Sequence, residues 1–266
     1  MKLSCTNAMA PGNTLTEKAK RLWDWGYEGI AVFVEYEKWD EKQFEELAQL
    51  KDKTNISPCE FAFSSPIYGH LMDPNMELRK QARNMYHEAA RICSVVGAVT
   101  EIEFEYGPQN PLPLFNPYAQ MNKSDEDAFL SMYEDIARTL DGTESYVLIE
   151  GINRYESPYM NCLQDCKKVV EKLDMPNTGV LADLFHMSIE EKDLPESIFN
   201  TGEYIKHVHL EDSNRLLPGY GHIDWKACIG ALKKINYQGF INLECSTCGD
   251  PDVTLPQTAI FLRSFL

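Results

Sequence analysis

The sequence is poor in positive charge: 25 lysines and arginines face 41 aspartates and glutamates, a formal net charge of −16 over 266 residues. A nucleic-acid surface needs basic groups for backbone phosphates, so that class is excluded. The acidity is compatible with binding a cation or a neutral metabolite and proves neither. No apolar run approaches the ~20 residues that cross a bilayer, so no membrane association is expected. The start, MKLSCTNAMAPG, has one basic residue and lacks an apolar core of signal-peptide length, so a cytoplasmic protein is expected. Neither G-x-G-x-x-G nor G-x-x-x-x-G-K-[ST] occurs, so the glycine-rich phosphate turn usual in a doubly wound open sheet is missing. The eight cysteines lie mostly in apolar runs of a chain too long to need stapling, and are read as reduced. Cys245-Ser-Thr-Cys248 has no second pair to complete a zinc knuckle, and Cys162 and Cys166 have the spacing of one helix face.

What is present is alternation. Strand patterns occur at residues 3–7, 29–35, 56–63, 99–106, 146–152, 178–185, from 204 onward, and at 239–245. Helical periodicity fills the intervals at 14–25, 44–50, 73–96, 124–140, 159–173, near 194–199, and at 225–235 and 253–266. Thr14 with Glu17 reads as a capping box, and Gly97 as the stop of the long helix. A proline-rich loop covers 107–122. No composition break marks a linker. Eight strand–helix units predict an α/β fold, a single (β/α)8 TIM barrel over residues 1–266 with a closed eight-stranded parallel sheet.

The chain is organised around the seventh unit, YIKHVHLEDSNRLLPGYGHIDW. There a strand carries His207, His209 and Glu211 on one face, then opens into a polar loop. The four last strands repeat one device, a polar group near the carboxyl end: Glu150, Asp183, His209 and Glu244. Their parity agrees, because Leu148, Leu181, His207 and Asn242 share their faces, while Val147, Ile149, Val180, Ala182, Val208, Leu210, Ile241 and Leu243 point the other way. In a barrel this sends all four inward at the catalytic end. Three converging carboxylates repel one another unless a divalent cation joins them. Three hard oxygens and one imidazole suit Mn²⁺, Mg²⁺ or Co²⁺ better than a structural zinc.

The motifs LIEGINRYE, LADLFHM, HVHLEDSNR-x-x-PGYGHIDW and GFINLE, in this order, resemble the xylose-isomerase-like TIM barrels, and within them the ketose 3-epimerase branch of D-tagatose and D-psicose (allulose) 3-epimerases. The resemblance is close from Glu150 to Glu244 and loose before it, where a D-P-x-x-E-L-R-like helix start at Asp73-Pro74 is the main feature. It implies one divalent ion, Mn²⁺ or a substitute including Zn²⁺, held by Glu150, Asp183, His209 and Glu244. It implies that Glu150 and Glu244 are the acid/base pair and that Glu156, His186 and Arg215 hold sugar hydroxyls. The partner is then a small-molecule sugar, and a homodimer or homotetramer is compatible with it. Removing a proton next to a ketone needs a base and charge stabilisation for the enediolate, and two carboxylates on opposite faces can invert the centre.

An aldose–ketose isomerase of sugars, sugar phosphates or hydroxypyruvate uses the same groups and stays open. An apurinic endonuclease would need more histidines than the six present and a basic groove. A non-catalytic sugar-binding barrel would not need both Glu150 and Glu244. The first-half loops choose the substrate in this family, and Tyr68, His70, Phe115 and Tyr118 are the pocket-lining candidates there. Glu101, Glu103 and Glu105 form an inward acidic face with no assigned role. Beyond Arg154 and Arg215 no basic cluster awaits a phosphate, which favours an unphosphorylated sugar.

Overall fold

The computed structural model describes residues 1–115 and 121–266. Strands and helices alternate as β1 (Lys2–Thr6), α1 (Leu15–Asp24), β2 (Gly29–Glu35), α2 (Glu41–Ala48), α3 (Leu50–Thr54), β3 (Ser57–Ser64), α4 (Met76–Val96), β4 (Thr100–Ile102) and α5 (Lys123–Ala137). The second half continues with β5 (Val147–Glu150), α6 (Leu163–Leu173), β6 (Thr178–Asp183), α7 (Leu184–Glu190), α8 (Leu194–Thr201), β7 (Ile205–Leu210), α9 (Trp225–Lys234), β8 (Phe240–Leu243) and α10 (Pro251–Arg263). The sheet order is β3-β2-β1-β8-β7-β6-β5-β4, and the named strand pairs are parallel. Its two ends meet where Glu60 bridges Val99: the Phe61 N–H donates to the Val99 carbonyl and the Val99 N–H to that of Cys59. The sheet therefore closes into the eight-stranded barrel that the alternation predicts.

The apolar parity class does the packing. Val180, Ala182, Val208, Leu210, Ile241 and Leu243 are fully buried and belong to the main core, together with Ala89 and Cys93 of α4 and Val169 of α6. Each large aliphatic side chain so buried contributes about 1.5–3 kcal/mol. The opposite parity class faces the barrel interior and is the polar one. Register sets His209 level with Asp183 on one side and Asn242 on the other.

Three local expectations are corrected. Thr14 caps α1 by accepting from the Glu17 N–H, but the Glu17 carboxylate accepts from the Asn13 N–H, so no reciprocal box forms there. β4 stops at Ile102 rather than at 106, because its ladder with β5 covers only Thr100 to Ile102; Glu105 then turns to the surface. The sixth strand ends at Asp183, whose side chain caps α7 by accepting from the His186 N–H at 2.7 Å. The apolar run LADLF hides that change, since periodicity cannot separate a short buried strand from the first turn of a buried helix.

Candidate active site

The four strand-end groups converge. His209 Nδ1 lies 2.8 Å from Glu244 Oε2, 3.7 Å from Asp183 Oδ2 and 3.8 Å from Glu150 Oε1. Asp183 and His209 are 1 % exposed and Glu150 6 %, whereas the Glu244 side chain is 32 % exposed and closes the open side. Asp183 Oδ2 is buried without a hydrogen-bond partner among the described residues, and His209 Nδ1 makes no well-aligned hydrogen bond there although Glu244 Oε2 approaches it to 2.8 Å. Asp183 Oδ1, by contrast, is held by the α7 cap. Burial pushes the Glu150 carboxyl well above the usual range, and the charges of Glu101 and Asp183 add to it. Burial disfavours a charged His209, but the Glu60 and Glu244 carboxylates outweigh it and hold the ring well above its usual value. The cluster attracts positive charge, and a divalent cation can displace the protons it holds. One orphaned oxygen of Asp183, with the His209 nitrogen and a Glu244 oxygen within 4.8 Å of one another, fits such an ion.

Behind His209 stands a residue that the strand-end pattern missed. Glu60 of β3 is fully buried, and its carboxylate oxygens lie 2.9 and 3.1 Å from His209 Nε2. A carboxylate on one ring nitrogen fixes the ring and aims the other nitrogen at the ligand position. His207 Nε2 approaches the same carboxylate at 3.3 Å. The signal in the sequence was a lone charge inside the apolar strand CEFAF. Glu211, one turn-residue beyond β7, accepts from the Phe185 N–H at 3.2 Å and is fully buried beside Asp183.

The outer groups form a chain at the rim. Asn153 donates from its N–H (3.2 Å) and its Nδ2 (2.7 Å) to His186 Nδ1, and from Nδ2 to Glu156 Oε1 at 2.9 Å. The unprotonated Nδ1 makes Nε2 the N–H of a neutral His186, and burial further lowers the ring's affinity for a second proton. Arg215 Nη2 lies 3.4 Å from that Nε2, Nη1 lies 3.6 Å from Glu156 Oε2, and the guanidinium stacks 4.7 Å over the Phe185 ring. His186 is the third residue of α7. The loop that brings Arg215 is tied by Asp212, which accepts from the Ser213, Gly219 and Ile223 N–H groups and from Trp225 Nε1. Gly221 has to be glycine there, since a Cβ would lie 2.1 Å from Asp212 Oδ1.

A cavity of about 260 Å³ is lined by Glu150, Glu244, His186 and Arg215 and extends to Phe33, Tyr68, Glu101 and Glu103. It is smaller than the ~300–1,000 Å³ pockets of drug-sized ligands. Of the first-half candidates, Tyr68 lines it. His70 instead pairs with Asp73 at 2.7 Å, and Phe115 is 96 % exposed, so neither of these is assigned to the wall. Tyr118 lies outside the described residues. Among the described residues no helix is long and apolar enough to cross a membrane.

The chain matches the xylose isomerase-like TIM barrel family over residues 19–265 and belongs to that family. A probable ketose 3-epimerase of Synechocystis sp. is 24% identical over 238 residues, covering 89% of this chain and 79% of that protein. The 3-dehydro-D-guloside 4-epimerase of Escherichia coli is 31% identical over 122 residues, 44% of this chain and 47% of its own length. A D-psicose 3-epimerase of Enterocloster bolteae is 32% identical over 110 residues, 41% of this chain and 36% of its own length. These last two matches span less than half of either relative. Such relatives are epimerases, a class of isomerase. The structure of D-psicose 3-epimerase with D-tagatose from Clostridium cellulolyticum H10 superposes with a TM-score of 0.84 at 20% identity, over 100% of this chain and 99% of the other. A 3-keto-D-glucoside 4-epimerase from E. coli gives 0.83 at 22% identity, over 99% of each. At these identities the likeness establishes the fold.

Proposed function

We propose that this protein is a metal-dependent carbohydrate epimerase that inverts C3 of a ketose, with Glu150, Asp183, His209 and Glu244 holding one divalent ion. The observation that carries the reading is the convergence of three carboxylates on one buried imidazole nitrogen, two of them glutamates from different strands. The names of the relatives support the same reaction class. A bound ion, Mn²⁺ first and Mg²⁺, Co²⁺ or Zn²⁺ as substitutes, supplies positive charge for adjacent substrate oxygens. Glu150 and Glu244 then move the C3 proton: one takes it from one face of the sugar and the other returns a proton to the opposite face. Each can serve in either direction, as a reversible inversion requires. His186 offers its Nε2–H to a hydroxyl, and Arg215 with Glu156 orients the neighbouring ones. Glu150 is buried, whereas Glu244 keeps an open side through which its proton can exchange with solvent.

The test is incubation with a panel of ketoses and ketose phosphates plus Mn²⁺ in D₂O, read by NMR. Deuterium at C3 with the C3 epimer as product is the expected result. Deuterium at C1 with an aldose as product would move the protein to aldose–ketose isomerisation. No exchange with any member of the panel would overturn the enzyme reading.

A further inference from the structure

The first half of the barrel sends two carboxyl groups into the cavity that the proton transfer does not use. Glu101 sits on β4 and Glu103 just past its end, on the same face, 6 % and 4 % exposed. Both line the cavity beside Glu150 and Glu244. One donor serves them: the Tyr68 hydroxyl donates to Glu101 Oε1 at 2.7 Å and stands 3.2 Å from Glu103 Oε1. A phenol has a single proton to give. Glu103 Oε2 is buried and makes no well-aligned hydrogen bond among the described residues, although the Glu150 carboxyl lies close to Glu103. The Tyr68 hydroxyl supplies one proton toward four carboxyl oxygens, so acceptors are in excess on this wall.

The wall is held in place. Tyr68 belongs to the turn Tyr68–His70, and its ring packs against Tyr86 at 5.4 Å and Tyr106 at 5.8 Å. The Tyr86 hydroxyl donates to the Tyr68 carbonyl at 3.2 Å. Gly69 lets this turn close on the segment after β4: a Cβ there would lie 2.0 Å from the Tyr106 carbonyl oxygen. An unmet buried acceptor costs about 1–3 kcal/mol, so a rigid wall of this kind selects the ligand that meets it.

We propose that Glu101, Glu103 and Tyr68 form a polyol subsite, an acceptor-rich wall that takes hydroxyl hydrogens from an uncharged sugar chain and refuses a phosphate ester. The choice of ligand rests on the epimerase reading above. A hydroxyl brings the donor that Glu103 Oε2 lacks. A phosphate dianion brings only acceptors and charge of the same sign.

The test uses Mn²⁺-loaded protein with mannitol and mannitol 1-phosphate, titrated by calorimetry. The wild type is expected to bind mannitol at least about tenfold more tightly than the ester, the worth of one unmet or like-charged contact. Glu103→Gln and Glu101→Gln each add an amide donor and remove a carboxylate, and each is expected to move the ratio toward the ester by about tenfold. Bound manganese and melting temperature are measured alongside, so that a misfolded variant is recognised and the other one decides. Equal affinity for the two polyols in the wild type, binding of neither, or a ratio that neither variant moves overturns the proposal. Neither polyol has a carbonyl. A protein inert toward every ketose therefore still answers this test, and that inertness would fall on the epimerase reading alone.

Discussion

The two halves of the barrel build their interior differently. β5 to β8 contribute one group each, at the carboxyl end and on the inward parity, and these four meet at a single nitrogen. β1 to β4 contribute no such series. Their inward carboxylates follow no strand-end series: Glu60 stands in mid-strand behind His209, and Glu101 and Glu103 share the Tyr68 hydroxyl beside Glu150. On the proposed reading the second half places the reacting groups, and the first half supports and shapes. A change in the second half should therefore remove chemistry outright, while one in the first half should alter affinity or selectivity and leave chemistry partly intact.

The sharpest way to break that division is to neutralise the proton-transfer groups. Glu150→Gln and Glu244→Gln keep size and an oxygen for a metal but cannot accept a proton. Each is expected to lower epimerisation by at least ~10²–10⁴-fold, the worth of a positioned acid or base. In D₂O one of the two variants can still wash deuterium into C3 without inverting it, because the remaining glutamate completes its own half-reaction. Full activity in both would end the catalytic assignment. Asp183→Asn comes next. It removes a charge that offsets the cation while keeping shape, and the Oδ1 cap of α7 can be kept by the amide oxygen. Metal affinity and turnover should fall together, measured by calorimetric titration of the metal-free protein and by rate. Wild-type values of both would show that Asp183 is no ligand.

From the first half, Glu60→Leu is expected to weaken metal affinity by about 10–100-fold, the usual worth of a group that orients a ligand histidine. Glu60→Gln keeps an acceptor for the Nε2–H and should recover much of that loss. The split between the two variants separates orientation of His209 from general packing, since a packing role would treat Gln and Leu alike. If neither variant changed metal affinity, Glu60 would be a buried charge satisfied by His209 and His207 and nothing more.

This division also governs what the sequence revealed. Eight alternations and four polar strand ends of equal parity are periodic, and a periodic signal survives errors of a residue or two in each boundary. The barrel, and the grouping of Glu150, Asp183, His209 and Glu244, could be read for that reason. Glu60 could not, because it pairs across 149 positions with His209 and has no repeat to announce it. The acidic face was visible, but its split was not: Glu101 and Glu103 turn in while Glu105 turns out, since β4 leaves the ladder at Ile102. The helix at Leu184 was missed because Asp183 is at once the strand's last residue and the helix cap. His70 and Phe115 fall in the first-half loops, and a place in a loop does not fix the direction in which a side chain points.

The smallest expected effect is at Arg215, which lies in the second half but outside the ligand cluster. Its guanidinium is partly exposed, stacks on Phe185 and reaches toward His186 and Glu156 without a short contact to either. Its backbone has φ of 59°, held by the Arg215 N–H donating to the Asp212 carbonyl at 2.8 Å and by the Ser246 N–H donating to the Arg215 carbonyl at 3.1 Å. The loop therefore fixes where the side chain starts, and Asp212 fixes the loop without it. Removing the side chain should leave the fold and the metal site intact. A hydrogen bond from a charged donor is worth about 1.5–3 kcal/mol, and solvent screening at this half-open position brings Arg215 to the low end, about tenfold in kcat/KM. Arg215→Ala should raise KM or lower kcat/KM by that amount with bound metal unchanged. Arg215→Lys should recover little, because a point charge cannot reproduce the planar stack on Phe185. Unchanged kinetics across a panel of ketoses would mean that this arginine only braces the rim. A loss of bound metal would mean instead that the ligand cluster leans on the rim, and the separation of roles within the second half would have to be redrawn.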